Sequence, residues 1–88
     1  MKKNQNLFSI GEVAQALDIT RRAILYYEEF GLIQPDVKDS ATGNRYYTID
    51  TFVKIRTIRI LQNLGLSLSD IRGYYDDAFD LPPLIRRL

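Results

Sequence analysis

The segment F-S-I-G-E-V-A-Q-A-L-D-I-T-R-R-A-I-L-Y-Y-E-E-F-G-L-I, from Phe8 to Ile33, leaves room for little except two short helices joined by a tight turn. Ser9 is placed to cap the first helix. Glu12 stands three residues on, where its carboxylate reaches back to the Ser9 backbone and completes a capping box. Ile10, Val13, Ala14 and Leu17 recur at helical spacing and form one apolar face. Asp18-Ile19-Thr20 suffices only for a sharp turn, and Thr20 is a good cap for a second helix. That helix is expected from Arg21 to Phe30, ending at Gly31, which tolerates the left-handed conformation of a helix end. The pair is a helix-turn-helix over about residues 10–30, an arrangement whose second helix usually lies in the DNA major groove.

The side chains agree with that placement. Arg21 and Arg22 occupy the first turn of the second helix, the part that reaches base edges and phosphates. Tyr26 lies four residues after Arg22 and shares its face, where its hydroxyl can bond a phosphate. Ile24 and Tyr27 point elsewhere and pack the helix onto its neighbours. Two arginines and two tyrosines also decorate many amphipathic helices that bind nothing, so the residues beyond this helix weigh in the choice.

Leu32 to Val37 reads as extended, with Pro35 suited to a sheet edge or turn. Lys38-Asp39-Ser40-Ala41-Thr42-Gly43-Asn44 is a polar run of turn formers, and Arg45-Tyr46-Tyr47-Thr48 is a short β-type run. Together they predict a two-stranded hairpin, a wing over about residues 33–47. Arg45 is then expected at the wing's end, facing a phosphate or a narrow minor groove. A third helix, capped by Thr48 or Asp50, is expected over Ile49 to Leu64. Ile49, Phe52, Val53, Ile55, Ile58, Leu61 and Leu64 take its apolar side, while Lys54, Arg56 and Arg59 ride on the remaining surface, as solvated charges first and as DNA contacts second. Ser67, with Asp70 in the capping-box position, starts a fourth helix over about 68–75, buried through Leu68, Ile71 and Tyr75. The expected fold is mainly α: a winged helix-turn-helix of four helices and a small two-stranded wing, occupying residues 1–75.

Eighty-eight residues bury one modest core. No apolar run is long enough to span a bilayer and no signal-peptide pattern is present, so the expected location is cytoplasmic. The chain has no Cys and no His, which rules out disulfides and leaves no basis here for a zinc site or a His- or Cys-based catalyst. No phosphate-cradling glycine loop occurs; no cofactor, metal or enzymatic activity is expected. The net charge of +1 does not announce nucleic-acid binding by itself. Asp70, Asp76, Asp77 and Asp80 crowd the C-terminal part, so a basic face can be masked in the total.

The order of these parts resembles the MerR family of transcriptional regulators. The resemblance runs from about Leu7 to Tyr75. It rests on S-I-G-E-V-A at Ser9 to Ala14, Y-Y-E at Tyr26 to Glu28, G-L-I-Q-P at Gly31 to Pro35, G-N-R-Y-Y at Gly43 to Tyr47 and N-L-G-L-S-L-S-D-I at Asn63 to Ile71. The resemblance implies a homodimer that binds a pseudo-palindromic site in double-stranded promoter DNA and acts by distorting it, engaging RNA polymerase indirectly. The recognition-helix contacts it implies fall on Thr20, Arg22 and Tyr26, with Arg21 and Tyr27 adjacent, and the wing contact on Arg45. Three positions depart from the family pattern. Leu25 stands where a basic residue is common, Asn44 where Tyr often precedes the wing Arg, and Gln62-Asn63 where a basic residue often precedes the glycine.

Residues 76–88 read as a linker and the start of a further helix, opened by Pro82-Pro83. The resemblance places a dimerisation helix there, so an N-terminal fragment, or a form without an effector domain, is expected. Leu84, Ile85 and Leu88 either begin its pairing seam or fold back onto Tyr74 and Phe79. Two other functions fit the same pattern: a DNA-architectural protein of the recombination-directionality type, and a winged helix that binds protein. The operator, the inducer and the choice between activation and repression are not encoded legibly.

Overall fold

The computed structural model describes residues 6–77. Leu84, Ile85 and Leu88 lie outside them. In chain order the elements are β1 (Phe8–Ser9), α1 (Ile10–Leu17), α2 (Arg21–Glu29), β2 (Val37–Lys38), β3 (Arg45–Tyr47), α3 (Ile49–Asn63) and α4 (Leu68–Asp77). This is the four-helix winged helix-turn-helix, with one addition. The two wing strands are joined by a third, so the antiparallel sheet has the order β1-β3-β2. Phe8 opposes Tyr47 and Ser9 opposes Tyr46 on one side, while Val37 opposes Tyr46 and Lys38 opposes Arg45 on the other.

Ser9 does two jobs. Its extended backbone (ψ 162°) closes β1, and its side chain caps α1. The Glu12 amide donates to Ser9 Oγ at 3.1 Å, and the Ser9 amide donates to Glu12 Oε1 at 2.8 Å. Both orphan donors of the helix start are thereby satisfied. The wing strand β3 pairs with the residue that caps α1, which fixes one against the other. Asp18 ends α1 in the left-handed region at φ 56°, a conformation that Asp tolerates better than most residues. Thr20 then caps α2 through its hydroxyl, which accepts from the Ala23 amide at 3.0 Å. Gly31, at φ +84°, turns the chain away from α2.

The core gathers Val13, Ile24, Tyr27, Leu32, Ile33, Tyr47, Ile55, Ile58, Leu68 and Ile71 from every helix and from the wing. Leu32 and Ile33, expected to be extended, are buried outside any strand; the wing's first strand is only Val37–Lys38. The α3 stripe is narrower than its sequence suggests. Ile55 and Ile58 are fully buried, whereas Ile49, Val53 and Leu64 are exposed. Apolar residues occur on more sides of this helix than a neighbour can cover, so spacing alone overstates its buried face. Thr48 occupies the N-cap position of α3 without a side-chain capping bond. Asp36 engages it instead: its Oδ2 accepts from the Thr48 amide at 2.7 Å and from the hydroxyl at 3.2 Å. Ser67 and Asp70 form the reciprocal bonds expected at the start of α4, at 3.0 and 3.2 Å. That helix continues past Tyr75 to Asp77. Acidic residues near a helix C-terminus cost only about 0.3–1 kcal/mol each, too little to unwind a packed helix. No helix among the described residues is long and apolar enough to cross a membrane.

Among the described residues, one core group lacks a hydrogen-bond partner. The Tyr47 hydroxyl is buried without a hydrogen bond, and desolvation, aided by the nearby Glu28 carboxylate, pushes its pKa up from 10.0 to about 12. Below pH 10 the hydroxyl is protonated in both the folded and the unfolded chain. As pH rises from 10 toward 12 the unfolded chain releases the proton first, so stability is lost across that window, by up to about 3 kcal/mol. Tyr47→Phe is expected to leave stability at pH 7 equal or higher, because an unsatisfied donor is removed, and to flatten the alkaline decline. Urea melts of both proteins from pH 8 to 12 check this; parallel curves would show that Tyr47 does not control the loss.

Candidate nucleic-acid interface

α2 divides cleanly by burial. Ile24 and Tyr27 are 0% and 1% exposed, while Arg21, Arg22, Tyr26 and Glu29 face solvent, with Tyr26 51% exposed. Tyr27 is therefore corrected as a groove-side candidate. Its ring lies in the core, and its hydroxyl donates to Gln62 Oε1 at 2.5 Å. Burial pushes the Tyr27 pKa up, opposed by the nearby Arg59. Gln62 thus acts as the acceptor that makes a buried tyrosine tolerable.

On the outer side, Thr20, Arg22, Tyr26 and Leu25 line a shallow groove along α2, bounded by Glu29. The first turn of α2 holds two arginines and no acidic residue. Cations at the positive end of a helix dipole are unfavourable by roughly 0.3–1 kcal/mol each. The same arrangement concentrates positive potential and free backbone N–H groups where an anion can meet them. The helix dipole therefore does not favour these arginines, and their placement suits the binding of an anion.

The second cluster forms by folding. Arg21 and Arg45 line one cleft with Asn44, Tyr46 and the Ser9–Gly11 start of α1. Gly11 makes this possible, since a Cβ there would lie 2.8 Å from Arg21 Nη2. Its lack of a side chain lets the guanidinium rest on the first turn of α1, a role that no sequence pattern signals. Arg45 is the first residue of β3 rather than the tip of the wing, which is the Asp39–Gly43 turn. Its Nε donates to Glu28 Oε1 at 2.7 Å, with both side chains about a quarter exposed. Bonding to Glu28 raises the Arg45 pKa. The terminal nitrogens of a guanidinium remain as donors when Nε is engaged, so Glu28 aims Arg45. Glu28 was legible only as part of Y-Y-E; its opposite charge to the wing arginine was the available signal.

On the remaining surface, the Lys54 ammonium stands 4.7 Å from the centre of the Tyr75 ring, and the Arg72 guanidinium 5.6 Å from that of Phe30. Both are cation–π contacts that brace α4. Among the described residues no group of His, Cys, Asp and Glu is placed to hold a metal ion.

Residues 8–78 match the family described as MerR HTH family regulatory protein. Among relatives, the chain is 35% identical over 78 residues to nodulation protein NolA of Bradyrhizobium sp. (strain NC92), covering 89% of this chain and 32% of the relative. It is 36% identical over 64 residues to the mercuric resistance operon regulatory protein of Bacillus cereus, covering 73% and 48%. The chain thus spans a third to a half of the length of these curated relatives. Its fold is similar to the crystal structure of HiNmlR, a MerR family regulator lacking the sensor domain, bound to promoter DNA. That likeness has a TM-score of 0.76 and 22% identity, and covers 92% of this chain and 61% of the other. Motif order, the winged helix-turn-helix and the family match over residues 8–78 agree that this chain belongs to the MerR family of transcriptional regulators.

Proposed function

We propose that this domain binds a pseudo-palindromic promoter site in double-stranded DNA as a homodimer and regulates transcription by distorting that site. The observation that carries the reading is the convergence of Arg21, at the start of the recognition helix, and Arg45, from the wing, on one cleft beside α1. With Arg22 and Tyr26 on the adjoining face of α2, this gives a recognition helix for the major groove flanked by a guanidinium for the backbone. Thr20, Arg21, Arg22, Tyr26 and Arg45 are the proposed contacts. A MerR family regulator of the same fold, bound to promoter DNA, is in keeping with a DNA-binding reading. Two copies related by a two-fold axis place two such faces on successive turns of one side of a duplex. RNA polymerase is then affected through the shape of the promoter.

The test is binding of the full-length protein to the DNA upstream of its own gene at several salt concentrations, read by fluorescence anisotropy. Tight binding to one near-palindromic site is expected, with affinity falling steeply as salt rises because phosphate-bound counterions are released. Weak binding that is equal for all sequences would overturn the promoter reading in favour of an architectural role.

A further inference from the structure

Leu25 is the one aliphatic residue of α2 with no place in the core. Ile24 is fully buried, and Ala23 packs against the buried cluster while edging the outer groove; Leu25, partly exposed, packs against no core residue and lines that groove with Thr20, Arg22, Tyr26 and Glu29. It stands one helical turn after Arg21 and Arg22, on the surface that a recognition helix turns toward base edges. An isobutyl group in that position donates and accepts nothing, so it bonds neither phosphate nor a polar base edge. The major groove offers it one complementary feature, the 5-methyl group of thymine.

We propose that Leu25 is a specificity-determining residue that reads a thymine methyl in each half of the DNA site, next to the base pair reached by Arg22. The proposal rests on the DNA-binding reading of α2 and the wing. The groove's chemistry fits this division. Arg22 supplies a planar donor suited to guanine, and the Thr20 and Tyr26 hydroxyls flank the patch. Glu29, one turn beyond Leu25, is an acceptor only and repels phosphate, so it marks where the apolar contact ends. A basic residue at position 25 would favour phosphate or guanine; leucine exchanges that for a preference that only a methylated pyrimidine satisfies.

The experiment uses a duplex selected from a random-sequence library by the full-length protein. Each thymine is replaced singly by uracil, which removes the methyl and keeps every hydrogen-bonding group. One thymine per half-site is expected to matter, its replacement weakening binding about fourfold, the value of one buried methyl group. Leu25→Ala is expected to melt like the parent protein and to bind the thymine and uracil duplexes equally. If no uracil replacement weakens binding, or if the sensitivity survives in Leu25→Ala, the assignment is wrong. Arg22→Ala, run in parallel, separates the two readings. A loss with that variant alongside silent uracil replacements leaves DNA recognition standing and removes Leu25 from it. A parent protein with no sequence preference overturns both.

Discussion

Ile24→Ala is expected to destabilise the domain by about 2–5 kcal/mol, the range for deleting a buried aliphatic side chain and leaving a cavity. Ile24 is 0% exposed and joins α2 to a cluster that draws on every helix and on the wing. A single core of this size rarely supplies more than about 3–5 kcal/mol of net stability. The variant should therefore be largely unfolded at room temperature, or melt at least about 10 °C lower than the parent. Thermal melts followed by circular dichroism decide this; a melting temperature within a few degrees of the parent would mean that α2 is held chiefly by other contacts. The comparison with Leu25 is informative because the two residues are chain neighbours of similar size. One is expected to control folding and the other the choice of base, since a helix turns about 100° between successive residues.

That alternation was legible in the sequence because it depends on local spacing. The caps at Ser9, Thr20 and Ser67 follow from bonds spanning three residues, and the structure forms all three. What escaped detection depends on residues distant in the chain. β1 has two residues, too few to carry an alternating pattern, and it exists because Tyr46 and Tyr47 offer a partner edge. Thr48 was legible as a cap but not as a partner of Asp36. The Glu28–Arg45 pair joins α2 to β3, and nothing in either local sequence requires it. Tyr27 shows the same limit from the other side. Helical spacing put it on the packing face, whereas motif position put it beside the groove, and burial decides for spacing. In the candidate interface, Arg21, Arg22 and Tyr26 were legible as exposed residues of one helix, but the meeting of Arg21 with Arg45 over Gly11 required the fold.

Arg22→Ala is expected to weaken binding to the selected duplex by roughly 5- to 150-fold per half-site, the range for losing one good bidentate contact to a base pair. Arg22 is exposed at the second position of α2, and among the described residues no side chain engages its guanidinium. Its removal therefore leaves no buried group unpaired. Stability should be unchanged or slightly higher, by up to about 1 kcal/mol, because a cation leaves the positive end of the helix dipole. Anisotropy titrations and thermal melts of the same preparation give both readouts. Unchanged affinity would sink the assigned DNA face. Lost affinity with lost stability would instead mean that Arg22 is structural. The expected combination, weaker binding without weaker folding, is what distinguishes a contact residue from a scaffold residue. It also accounts for two arginines at a helix start where electrostatics alone disfavours them: the positive potential that the helix tolerates at a cost is the potential that a phosphate-lined groove neutralises.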